Sequence, residues 1–188
     1  MKQISDKTVL IPIDLQVGFD DPDQPNRWNV EFDENCARLI GSWRESGRPI
    51  VHVKHDSEEL GSPLRPDRPG NAYRAGLGPI NDEIALGKRV NSAFIGTDLL
   101  DILADIGAEE LVVFGLTTDM CVSTTARMSS NLGFQTTIVS DACDCFDLPG
   151  SVGVISARRS HEIHIATLAY EFCDVVTTYE LIARLGND

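Results

Sequence analysis

With 188 residues, 42% hydrophobic and 24% charged, the chain has the length of one domain and enough apolar material for a substantial core. A formal charge of −13, from 16 Lys and Arg against 29 Asp and Glu, excludes a surface built to grip nucleic acid or an anionic membrane, because phosphate contacts need clustered cations. The roughly 20-residue apolar stretch that a membrane span requires is nowhere present.

The opening segment, MKQISDKTVLIPIDLQ, holds a short apolar run ending in a charge with no small-residue cleavage site, so an unprocessed, cytoplasmic chain is expected. Within it Thr8 to Asp14 reads as a strand, followed by a tight turn that carries Phe19, and then by Trp28 in a loop. A helix is predicted over Asp33 to Glu45 and a second strand over Pro49 to Lys54. The stretch from Asp56 to Gly78 contains Pro63, Pro66, Pro69 and several glycines, and is expected to be a long functional loop. Its Arg65, Arg68 and Arg74 suit either a lid that reads a carboxylate or an arm that builds a dimer. Lys88 follows in GKRVNSAF, before a short extended piece that includes Phe94 and a helix over Asp98 to Ile106.

Three further strands are predicted at Leu111 to Gly115, Gln135 to Ser140 and Asp174 to Thr178, with helices over Asp119 to Asn131 and His161 to Phe172. Short apolar β-branched runs that alternate with helices indicate a single three-layer α-β-α domain over residues 1–188, with a mostly parallel central sheet. In such sheets ligands bind at the carboxyl ends of the strands. Asp14 closes the first strand, and His55 ends the second. Cys121 falls in the first turn of a helix that Thr118 or Asp119 can cap, where the helix dipole is expected to lower a thiol pKa. The five cysteines form an odd set without CxxC spacing, which argues against a disulfide framework or a structural zinc site. His161 and His164 have ligand-compatible spacing but no evident third ligand, so a surface or helix-packing role is expected.

The segments IPIDLQVGF, KRVNSAFIGTDL and VVFGLTTDMCVSTTARMSSNLGF, with the trailing VSDACDCFD, resemble the isochorismatase-like cysteine hydrolases over about residues 8 to 180. The resemblance implies a catalytic triad of Asp14, Lys88 and Cys121. It also implies an oxyanion hole from the backbone N–H groups of Thr117 and Cys121, and a cis peptide between Leu116 and Thr117. In the comparable place of metal-dependent nicotinamidases the chain reads HVKHDSEEL, so neither a metal nor another cofactor is expected. Cys121 points to hydrolysis of a C–N, amide-type bond through an acyl-enzyme, with a tentative pocket of Phe19, Trp28, His55 and Phe94. The expected partners are a small-molecule substrate and further copies of the chain, as a dimer or tetramer. A catalytically idle binding module, or a thiol redox sensor, is the alternative.

Overall fold

The computed structural model describes residues 3–22 and 24–186. Strand β1 (Val9–Ile13) is buried along its whole length, as a near-continuous apolar run in a doubly covered sheet should be. It is followed by α1 (Phe32–Glu45), β2 (Val51–His55), β3 (Ile84–Lys88), α2 (Leu99–Ile106), β4 (Glu110–Leu116) and α3 (Ser123–Asn131). The chain continues through β5 (Gln135–Asp144), β6 (Leu148–Gly150), β7 (Gly153–Ile155), α4 (Ala157–Glu171), β8 (Asp174–Val176) and α5 (Thr178–Ile182). Six strands form a sheet in the order β3-β2-β1-β4-β5-β8, with every neighbour parallel. Helices α1 and α5 pack on each other and on β5, and α3 and α4 form a second such pair. The α/β class with a parallel central sheet is as the sequence indicates. Among the described residues no helix is long and apolar enough to cross a membrane.

Three departures from the sequence reading matter for the site. The sheet has a sixth strand, β3, whose sequence IALGK lies on the sheet edge and is mostly exposed until it reaches the buried Lys88. Ala and Gly are poor strand formers, and an edge strand has no apolar run to announce it. An antiparallel hairpin, β6–β7, follows β5. The segment at Asp119 begins not as a regular helix but as a π-helical turn, Thr118–Val122, capped by the extended backbone of Thr117 with no side-chain bond. Thr118 is fully buried and turned to other partners, so neither Thr118 nor Asp119 caps the turn.

The long loop from Asp56 to Gly78 has one short 3-10 turn, Pro69–Asn71. Asn71 fastens it: its Nδ2 donates to the carbonyls of His55 (3.1 Å) and Leu64 (2.7 Å) and to Asp56 Oδ1 (2.9 Å). Its Oδ1 accepts from Lys54 Nζ at 2.7 Å. Gln16 clamps the same strand end, accepting from the His55 N–H at 2.8 Å and donating to the His55 carbonyl at 3.0 Å.

Candidate active site

Parallel register alone assembles the group. Lys88 lies beside His55 across β3 and β2, and Ile13 lies beside both Val53 and Gly115. The carboxyl ends of four neighbouring strands therefore present Lys88, His55, Asp14 and the turn that bears Cys121 to one point. Asp14 leaves β1 with φ of +53°, a left-handed conformation that Asp tolerates better than most residues. Its N–H is held by Val53 O at 2.8 Å.

Lys88 is the hub. Its Nζ donates to Asp14 Oδ2 at 2.7 Å and to Cys121 Sγ at 3.2 Å, and lies 3.2 Å from His55 Nδ1. An ammonium has three protons, and here each has an acceptor, with Lys88 and Asp14 fully buried. Asp14, His55 and Cys121 each place a potential metal-ligand atom within 4.8 Å of the others. Lys88 Nζ touches all three, so its charge takes the central place a cation would need.

The electrostatics correct one expectation. Burial, reinforced by the Asp14 carboxylate, pushes the Cys121 thiol up to about 12, while Lys88 only partly opposes this. The thiol at rest is therefore neutral, not a dipole-stabilised thiolate. Burial also raises Asp14 above its usual range, with Lys88 and the thiol pulling the other way. Asp14 Oδ1 is buried without a hydrogen-bond partner, and the Cys121 thiol acts on the Asp14 carboxyl besides Lys88 and His55. Burial and then Lys88 lower the His55 pKa, so a neutral His55 accepts from Lys88 through Nδ1.

The turn bearing Cys121 is anchored from below. Thr118 Oγ1 donates to Asp144 O at 3.2 Å and lies 2.9 Å from His161 Nδ1. His161 is buried and pushed down to about 4 by desolvation, so its place is in the interior and not on the surface. The Leu116–Thr117 peptide is cis. Just before it, Gly115 has φ of +126°, and a Cβ there would stand 2.0 Å from Ile13 O, so only glycine fits between β4 and β1.

Above the group lies a cavity of ≈ 430 Å³ walled by Phe19, His55, Leu64, Asn91, Met120 and Phe146, among others. Two tentative pocket residues lie elsewhere. Trp28 packs on His161 (5.1 Å between ring centroids) and Phe94 stacks on Phe134 (6.2 Å). The large aromatic signal in sequence does not distinguish core from wall. Asn91, whose Oδ1 is 3.7 Å from Cys121 Sγ, and Phe146, stacked on Phe19 at 6.1 Å, are additions: both lie within the segments KRVNSAFIGTDL and VSDACDCFD, but the sequence alone does not assign either to the pocket. The loop arginines do not read the cavity. Arg74 is buried against Asp20 (2.8 Å) and Asp33 (3.1 Å), and Arg65 is bonded to Asp67 (2.8 Å). Arg68 lines a separate depression beside Gly18 and Pro69.

Fold and site together define an α/β protein whose parallel sheet gathers a thiol, a carboxylate and an ammonium under one cavity. The Isochorismatase domain model matches residues 8–180, and the chain belongs to the isochorismatase family, whose members are hydrolases. It is 38% identical to the isochorismatase family protein YrdC of Bacillus subtilis (strain 168), over 95% of this chain and 96% of that one. It superposes on an isochorismatase-family crystal structure from Chromobacterium violaceum with a TM-score of 0.95 and 39% identity, covering 100% and 98% of the two chains. Streptothricin hydrolase of Streptomyces noursei is 30% identical over 77% of this chain and 57% of that protein. Maleamate amidohydrolase of Pseudomonas putida is 24% identical over 96% and 88%.

Proposed function

We propose that the protein hydrolyses a C–N, amide-type bond of a small molecule, with Cys121 as nucleophile, Asp14 as proton carrier and Lys88 as the charge that couples them. The contact of Lys88 Nζ with both Asp14 Oδ2 (2.7 Å) and Cys121 Sγ (3.2 Å) at the cavity floor carries the reading. As sulfur attacks the carbonyl carbon, its proton passes to Asp14, and Lys88 holds the negative charge wherever it resides. The oxyanion is received by the N–H groups of Thr117 and Cys121, a contribution of about 3–4 kcal/mol for such a donor. Asp14 then returns the proton to the departing amine. Water, deprotonated by Asp14, cleaves the thioester and releases the acid. The amidohydrolase name of the Pseudomonas putida relative supports C–N chemistry.

The same reading takes the chain as one domain without a metal or cofactor. Five free cysteines suit a cytoplasmic setting, and the exposed Val152, Val154 and Tyr170 suit self-association. The redox-sensor alternative loses support, because a sensor needs a low-pKa thiol and burial pushes Cys121 up to about 12. The test is intact-mass detection of an acyl adduct on Cys121 during amide turnover, with Cys121→Ala as control. Full turnover by the folded Cys121→Ala protein would end the cysteine mechanism.

A further inference from the structure

The cavity has a charge character that bears on what it accepts. Among the described residues that line it, none is Arg or Lys, whereas Glu59, Asp119 and Asp147 all face it. None of these three is in an ion pair among the described residues. Lys88 lies beneath the floor, fully buried, and its charge is offset by Asp14 at 2.7 Å. Asp147 is anchored, with Oδ1 accepting from the Ala157 N–H at 2.7 Å. Asp119 is two residues from the thiol, and its Oδ1 is buried with no hydrogen-bond partner. The residue as a whole is only half-buried, so part of its carboxylate stays open to the cavity. The rest of the wall mixes polar groups, among them Gln24, Ser57 and Asn91, with an apolar part in which Phe19 and Phe146 stack at 6.1 Å, a surface that also suits a cation or the methylene chain bearing one.

We infer that the site prefers small amides whose acyl part carries a protonated amine, bound by Asp119 with Asp147 and Glu59, and discriminates against amides that carry a carboxylate. This deepens the amide reading and rests on it for turnover. The arginines that would read a carboxylate are engaged away from the cavity, Arg74 with Asp20 and Asp33 and Arg65 with Asp67.

Two assays separate this inference from the reading beneath it. In the first, kcat/KM for ammonia release is compared for β-alaninamide, butyramide and succinamate, which match in length and differ in terminal charge. The expected order is ammonium, neutral, carboxylate, with roughly tenfold or more between the extremes. Asp119→Asn should narrow that ratio several-fold. Glu34→Gln, which removes an equal charge on the exposed face of α1, should leave it in place. In the second, Cys121 is modified by methanethiosulfonates bearing an ethyltrimethylammonium or an ethylsulfonate group. The thiol displaces sulfinate to form a mixed disulfide, and the rate at Cys121 is read by peptide mass spectrometry and normalised to a free thiol. The cationic reagent should win by roughly tenfold, and Asp119→Asn should again narrow the ratio. A cationic preference in the second assay with no amide turnover would refute the hydrolase reading and uphold the charge preference. Equal or better handling of the anion in either assay, or ratios that Asp119→Asn and Glu34→Gln alter alike, would overturn the inference.

Discussion

Replacing Lys88 by Met keeps most of the side-chain volume and removes the ammonium. In the native protein Asp14 and Lys88 are both fully buried and 2.7 Å apart, so the variant retains a buried carboxylate with no cation beside it. Breaking one half of such a pair costs about 3–5 kcal/mol, which for a chain of this size lowers Tm by roughly 6–20 °C. The pH dependence supplies a second readout. Asp14 is already raised from 3.8 by burial, and Lys88 is the largest influence holding it down, so the substitution raises it further. A carboxyl whose folded pKa exceeds its unfolded value contributes stability that is fully present below 3.8 and is lost as pH rises through the folded value. The deficit of Lys88→Met should therefore be largest at neutral pH and shrink in acid, and urea unfolding from pH 4 to pH 8 measures it. Combining the change with Asp14→Asn should recover part of the loss. A deficit below about 1 kcal/mol at neutral pH, or one that grows in acid, would refute the claim that this ion pair organises the site.

Asp14→Asn should act in opposite directions on two properties. The carboxylate helps to raise the Cys121 thiol, so its removal should speed alkylation of Cys121 by iodoacetamide at pH 7, while turnover falls by about 10²–10⁴ through loss of the proton carrier; slower alkylation would contradict the electrostatics. Exhaustive chelation should leave activity unchanged, because Lys88 Nζ fills the space among Asp14, His55 and Cys121; inactivation by chelator with rescue by zinc would oppose this. Gly115→Ala should destabilise the fold by at least about 3 kcal/mol, since the added Cβ would meet Ile13 O at 2.0 Å with φ at +126°, and near-native thermal stability would show that β4 and β1 can part.

The legibility of this site in the sequence follows burial. Strands β1 and β4 are apolar nearly throughout, so their ends, and with them Asp14 and the turn before Cys121, stand out in the string. β3 is an exposed edge with Ala85 and Gly87, and Lys88 reads as a loop residue although it is the most connected group in the site. Pairing between β2 and β3, which sets Lys88 beside His55, is long-range information that no local pattern holds. The state of the thiol is hidden in the sequence for a related reason. A first-turn cysteine invites a dipole argument, but a helix end contributes only about 0.3–1 kcal/mol at the surface, and the sequence does not show that Cys121 is buried beside a carboxylate. Burial does not separate the aromatic residues, which are all half-buried: Phe19 reaches the cavity, while Trp28 packs on His161 and Phe94 on Phe134.

A thiol raised to about 12 does not conflict with a nucleophilic role once the pair is considered as a unit. Asp14 is raised as well, so the buried site resists two negative charges and holds one. With Lys88 positive, the set carries no net charge whether the proton sits on sulfur or on the carboxyl. Moving that proton from Cys121 to Asp14 neither brings a charge into the interior nor removes one, and Lys88 already donates to both end points, at 3.2 Å and 2.7 Å. The desolvation that makes a free thiolate expensive therefore bears on both forms, and most of it cancels from the barrier. What is left is the difference between a carboxylate and a thiolate in the same ammonium field, a smaller quantity than either pKa measured alone suggests. In the proposed reaction the neutral form is then the resting state, and a carbonyl carbon brought over Cys121 would give the proton transfer its driving force.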